Sequence, residues 1–154
     1  MKRIIVQCAI PPVLALLACA AFSAPARAQD GTTPGPVYRI TQYKTTPGKM
    51  PEVLRDMREH LRPVYDEYKQ QGLILDYKVI SSLTTESPND WDIGLVVAFK
   101  NLAAMEALAE KAGPITLKHY GNAEKRTEAA SKRNQMRTVV SSRLVRELTL
   151  NPLP

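Results

Sequence analysis

Two histidines, His60 and His119, are the only imidazoles in this 154-residue chain, so histidine-based acid–base chemistry can involve no others. A histidine is the side chain whose ordinary pKa lies near neutrality, which suits it to take up or release a proton in a pocket, or to ligate a metal. His60 lies in an apolar helical stripe, roughly 80° from its centre at about 100° per residue, at the edge of the buried face. There it can point into a cavity as a base or ligand, or simply hydrogen-bond a neighbour. His119 sits beside Tyr120 in Leu117-Lys118-His119-Tyr120-Gly121, placed for a cavity mouth. Tyr65, Tyr77 and Trp91 are aromatic residues with polar tips; they can line a pocket for a flat organic ligand or serve as core residues.

Other chemistries lack their residues. Cys8 and Cys19 are the only cysteines, and both lie in the first nineteen positions. Two histidines with no metal-binding spacing give no zinc site. There is no Gly-x-Ser-x-Gly elbow for a serine hydrolase and no Gly-x-Gly-x-x-Gly phosphate loop. Lys125, Arg126, Lys132, Arg133 and Arg137 form a basic run, but Glu124 and Glu128 interleave with it, which reads as a solvated helix face.

The start of the chain bears on compartment. Met1-Lys2-Arg3 precedes an apolar run that is densest over residues 13–22, and Ala26-Arg27-Ala28 has the small-x-small form of a cleavage site. Residues 1–28 are therefore expected to be a signal peptide, with the product periplasmic or secreted. Gln7, Pro11 and Pro12 interrupt the run, which falls short of the about 20 apolar residues of a transmembrane anchor. Leu16-Leu17-Ala18-Cys19 offers a second route, a lipoprotein anchored through Cys19. Cleavage after Ala28 removes three of the 21 basic residues and leaves 18 against 15 acidic ones on a cysteine-free domain of 126 residues. So mild a charge on an exported chain argues against nucleic acid.

These candidates must be positioned by a small set of elements. Residues 29–36 read as a flexible lead-in, and 37–44 as a first strand rich in β-branched and aromatic residues. Met50, Val53, Leu54, Met57, Leu61, Val64, Tyr65 and Tyr68 then recur at three- and four-residue spacing. That is a long amphipathic helix, with Pro51 in its first turn, a kink or a break into two abutting helices at Pro63, and Gly72 as its stop. Strands follow at 73–83 and 91–100. Their alternation puts Leu75, Tyr77, Ile93, Leu95 and Val97 on one face and Ile74, Ile80, Val96 and Ala98 on the other. Asn101 caps a helix over 102–112 that Gly113 should end. Residues 122–135 have helical composition, with Ala123, Thr127 and Ala130 as a weak inner face, and 137–150 read as a last strand.

The order β-α-β-β-α-β is the ferredoxin-like α+β arrangement, an antiparallel four-stranded sheet with helices on one face. It lacks the basic-glycine third strand that RNA-recognition domains of the same order carry. Tyr43 followed by Pro47-Gly48-Lys49, the run Leu61-Arg62-Pro63-Val64-Tyr65, and Lys69-Gln70-Gln71-Gly72 are similar to the dimeric α/β-barrel superfamily, and within it the NIPSNAP-like branch. The resemblance implies a homodimer formed through the sheets of a domain over residues 37–150. It also implies a cavity between sheet and helices in each protomer. His60, Tyr65, Tyr77, Trp91, His119 and Tyr120 are the candidate lining residues. The function expected is an exported small-molecule-binding or accessory protein for a hydrophobic or aromatic ligand. The alternative is a small oxidoreductase, cofactor-free or haem-using. No cofactor is expected from the residues themselves; haem would enter only through that alternative.

Overall fold

The computed structural model describes residues 31–84, 87 and 90–153. The expected signal segment, with Cys8, Cys19 and the Ala26-Arg27-Ala28 site, lies outside the described residues. Four antiparallel strands, β1 (Thr32–Thr45), β2 (Asp76–Ser81), β3 (Ile93–Phe99) and β4 (Arg137–Leu150), form one sheet in the order β2-β3-β1-β4. Helices α1 (Met50–Asp56) and α2 (Arg62–Gln70), joined by a π-helical turn at Met57–Leu61, connect β1 to β2. Helices α3 (Leu102–Tyr120) and α4 (Ala123–Met136) connect β3 to β4. This is the expected α+β ferredoxin-like fold.

The first strand begins at Thr32, inside the segment expected to be a flexible lead-in, because Thr32, Thr33 and Pro34 pair with Leu150, Thr149 and Leu148 of β4. A stretch poor in apolar side chains can still be held by its backbone ladder.

Directly opposed residues share a sheet face. Val37, Arg39, Thr41 and Tyr43 of β1 oppose Phe99, Val97, Leu95 and Ile93 of β3, and these odd-numbered residues face the helices. Val53, Met57 and Ile93 form one buried cluster; Val64, Tyr68, Ile74, Leu95, Val97, Phe99 and Leu108 form the other, with Tyr43 and Leu61 packed against both. The opposite face carries Ile40, Ile80, Val96 and Ala98, and Ile80 lies across Gly94, where a Cβ would meet its Cγ1 at 3.0 Å.

One pair from the expected alternation is inverted. Ile74 is buried on the helix side, whereas Leu75 is 47% exposed. The strand starts only at Asp76, so period-two alternation does not extend back to them.

Pro63 breaks the long helix as expected. It stands in the first turn of α2, and just before it Arg62 N–H donates to Met57 O, five residues back. Gly72, at φ +68°, ends the helical segment, with Leu73 N–H returning to Tyr68 O at 2.9 Å.

The next expected stop fails. The helix does not end at Gly113 but runs through Gly113 and Pro114 to Tyr120, ending at Gly121 with φ +84°. Pro114 frees the carbonyl of Glu110, an exposed residue, so water can satisfy it. Ala112 and Ile115 pack on the core from either side of the proline, and Thr116 Oγ1 donates to the Ala112 and Gly113 carbonyls, both at 2.9 Å.

Helix α4 follows Asn122, whose side chain accepts from Lys125 N at 2.8 Å. Its inner face is Ala129, Arg133 and Met136; the expected Ala123, Thr127 and Ala130 are all exposed. Strand β4 occupies the expected residues. Among the described residues no helix is long and apolar enough to cross a membrane.

Candidate functional site

The continuation of α3 builds the site. It carries His119 and Tyr120 past the end of the core and sets them against the π-helical turn of the first helical segment. A π turn holds one residue more than an α turn, which re-phases the side chains around it and is frequent at functional sites. His60 lies in that turn, and its Nδ1 is 3.1 Å from His119 Nε2. The Tyr120 ring touches both imidazoles, tilted by 36° at a centroid distance of 5.2 Å from His60 and edge-on at 4.8 Å from His119. One imidazole must donate and the other accept, so the pair is most stable carrying at most one extra proton. Burial, then the nearby His60 and Arg133, hold His119 below its ordinary value of 6.5.

Asp56, His60 and Tyr120 stand between two hollows and line both. Outside is an open cleft of about 550 Å³, whose walls include Lys49, Glu52, Glu59, His119 and Lys132. Inside, between sheet and helices, is a cavity of about 300 Å³. Its apolar wall is Leu61, Val64 and Leu95, and its aromatic wall is Tyr43, Tyr65, Tyr68 and Tyr120. Thr116, Arg126, Arg133 and Arg137 complete it.

The polar side of this inner cavity is held by contacts between distant parts of the chain. Arg133 Nε donates to Asp56 Oδ1 at 3.2 Å, with the side chains 25% and 12% exposed, so the pair is largely shielded from water. Another nitrogen of the same guanidinium meets the Tyr120 hydroxyl. Arg137 lies over the Tyr43 ring, 4.2 Å from its centroid, and its Nη1 is buried with no hydrogen-bond partner among the described residues. Burial pushes the Tyr65 and Tyr120 hydroxyls up, although neighbouring arginines pull them back, and pushes Tyr68 up to about 12. All three therefore stay neutral at neutral pH and act as hydrogen-bond donors as well as acceptors.

Of the six candidates read from the sequence, four come together. His60, Tyr65 and Tyr120 line the inner cavity, and His119 backs the wall from outside. Tyr77 does not line it. Its ring packs against Tyr65 at 5.3 Å, its hydroxyl donates to Asp66 at 2.7 Å, and burial followed by that carboxylate pushes its pKa up to about 12. Trp91 is half-buried ahead of β3 and lines neither hollow.

Sequence reasoning missed Tyr43, Asp56, Tyr68, Arg133 and Arg137 as lining residues. Arg133 and Arg137 read as part of a solvated basic run. The signal for Arg133 is its spacing between Ala129 and Met136, which puts a guanidinium on the inner face of α4. No such spacing marks Arg137, the first residue of β4.

Among the described residues no group of three or more His, Cys, Asp or Glu side chains can hold a metal ion. A ligand needing His60 Nδ1 or His119 Nε2 must break the contact between them.

Fold and site together define a ferredoxin-like α+β protein with a tyrosine- and arginine-lined cavity between its sheet and its helices. Neither a protein-family model nor a curated protein sequence matches the chain. Solved structures are similar to it. A NIPSNAP family protein of unknown function from Agrobacterium tumefaciens is 15% identical over 78% of this chain and 93% of its own, with a TM-score of 0.48. A dimeric protein of unknown function and ferredoxin-like fold from Bacteroides fragilis is 16% identical over 76% and 95%, at 0.41. A dimeric ferredoxin-like protein from an uncultured marine organism is 9% identical over 79% and 93%, at 0.46.

Proposed function

We propose that this protein is an exported homodimeric binding or accessory protein that holds a small hydrophobic or aromatic molecule in the inner cavity. The cavity itself carries the reading: it is concave, lined by aliphatic and tyrosine side chains, and supplied with a few convergent polar groups, the composition of ligand pockets in general. Native mass spectrometry of the purified protein should show a small organic molecule that leaves on denaturation. His60→Ala opens the wall and should weaken retention without unfolding the protein. Purified protein with no such molecule, and no affinity for a neutral aromatic probe such as benzyl alcohol, overturns the reading.

The dimer is proposed to form through the sheet face that the helices leave bare. Ile40, Ile80 and Val96 lie half-buried on that face, and Val145, opposite Tyr38, is 43% exposed there. A stable interface buries on the order of 800 Å² per partner, comparable with one face of a four-stranded sheet. Val96→Asp should split the dimer in light scattering, because a charge would be buried without a partner. A wild-type monomer at micromolar concentration refutes the proposal. Export is proposed from the N-terminal signal; the intact mass of the exported protein should begin at Gln29 without lipid.

The oxidoreductase alternative draws on one feature, the imidazole pair in the cavity wall, which can accept a proton from a bound ligand. Oxygen uptake on adding the co-purified molecule would favour it.

A further inference from the structure

We propose that the inner cavity selects a planar, one-ring carboxylate and receives its carboxylate on Arg137. This rests on the binding reading above and adds the ligand's charge, size and orientation.

The charges around the cavity do not balance. Arg126, Arg133 and Arg137 line it, against one carboxylate, Asp56. That carboxylate is engaged by Arg133 at 3.2 Å. Tyr65, Tyr68 and Tyr120 cannot supply the missing negative charge, since burial keeps their hydroxyls protonated. Arg137 Nη1 is left as a buried donor with no partner among the described residues. A buried donor in that condition is costly to keep, and an anion seated beside it removes the cost. A carboxylate suits a guanidinium best, because two oxygens in a plane match two N–H groups in a plane.

The rest of the ligand follows from the walls. A volume of about 300 Å³ is at the small end of ligand pockets, enough for one ring and a short substituent. The Tyr65 and Tyr68 rings lie 5.3 Å apart and tilted by 58°, and with Leu61, Val64 and Leu95 they present an apolar surface to a flat ring. Arg137 is held over the Tyr43 ring, so its charged fork is already oriented before a ligand arrives.

The test is calorimetric titration of the full-length purified protein, stripped of any bound molecule, with benzoate, benzyl alcohol and acetate. Benzoate should bind about tenfold or more tightly than benzyl alcohol, the advantage of a charge-assisted pair over a neutral one. Acetate, which has the charge without the ring, should bind far more weakly than either. Arg137→Met should bring benzoate down to the affinity of benzyl alcohol, and Arg137→Lys, which restores charge without the fork, should recover only part. Circular dichroism of both variants checks that they are folded.

Equal affinity for benzoate and benzyl alcohol overturns the anion selection and leaves the cavity reading standing. Acetate matching benzoate overturns the ring. A preference that survives in Arg137→Met overturns the assignment to Arg137. If none of the three probes binds, the selectivity and the cavity reading fail together.

Discussion

The layer between sheet and helices has two parts built on opposite terms. Over β3 it is filled: Ile93, Leu95, Val97 and Phe99 are each no more than 4% exposed, and Val53, Met57, Val64, Tyr68 and Leu108 close on them. Towards the junction of β1 with the first residue of β4 the same layer holds Tyr43, Tyr65, His60, Arg133 and Arg137 around an open cavity. The first part is close-packed and apolar, so each side chain there contributes to stability by burial and dispersion. The second keeps an unpartnered guanidinium nitrogen out of water, at a cost of about 1–3 kcal/mol for such a group. A protein that carries such a cost beside a well-packed core has placed its stability in one region and its unmet polar groups in the other.

Deletion in the filled part should have the largest effect. Phe99 is fully buried, and Phe99→Ala should lower stability by about 3–5 kcal/mol in urea denaturation, through lost burial and the cavity left behind. A loss under about 1 kcal/mol would mean that the region is not close-packed. In the cavity the sign should reverse. Arg137→Met removes the unmet donor and keeps much of the apolar stem, giving up only a cation–π contact of about 0.5–1 kcal/mol. Its stability should match the wild type or exceed it by up to about 2 kcal/mol, even as the proposed anion selectivity disappears. A substantial loss of stability would show that Arg137 is a structural member of the core, and the contrast between the regions would collapse.

The filled part was more legible in the sequence than the cavity, for a physical reason. Burial of aliphatic side chains leaves a periodic trace. The three- and four-residue spacing of Val53, Met57, Val64 and Tyr68, and the alternation of Ile93, Leu95 and Val97, both match buried faces. Local stops and caps such as Gly72 and Asn101 were equally plain. The cavity depends on groups that meet only through tertiary structure. Asp56 and Arg133 are 77 positions apart, and His60 and His119 are 59 apart. The meeting of the histidines also requires α3 to pass Gly113-Pro114, a pair that reads as a helix end from local chemistry alone. Tertiary packing of Ala112 and Ile115 overrides that signal, and with the helix stopped early His119 and Tyr120 could be set near a cavity mouth but not against His60.

The smallest predicted effect separates the two regions by pH. Each of the four core residues on β3 is aliphatic or phenyl and cannot titrate, whereas both histidines of the chain, His60 and His119, stand at the cavity wall. His119 is the group to examine, since burial first, and then the charges of His60 and Arg133, lower its pKa in the folded protein. A lowered folded value means that the unfolded chain takes up the proton more readily. The contribution is therefore whole above the ordinary value of 6.5, and is lost as the pH falls through the lower folded value. Wild-type stability, followed by urea denaturation from about pH 5 to about pH 8, should rise with pH across the histidine range. His119→Gln removes the titrating group, and its profile should be flatter there. Phe99→Ala should lie below the wild type at every pH and run parallel to it. If His119→Gln keeps the full wild-type slope, the pH dependence does not arise at the wall; if Phe99→Ala changes the slope, the two regions are coupled rather than separate.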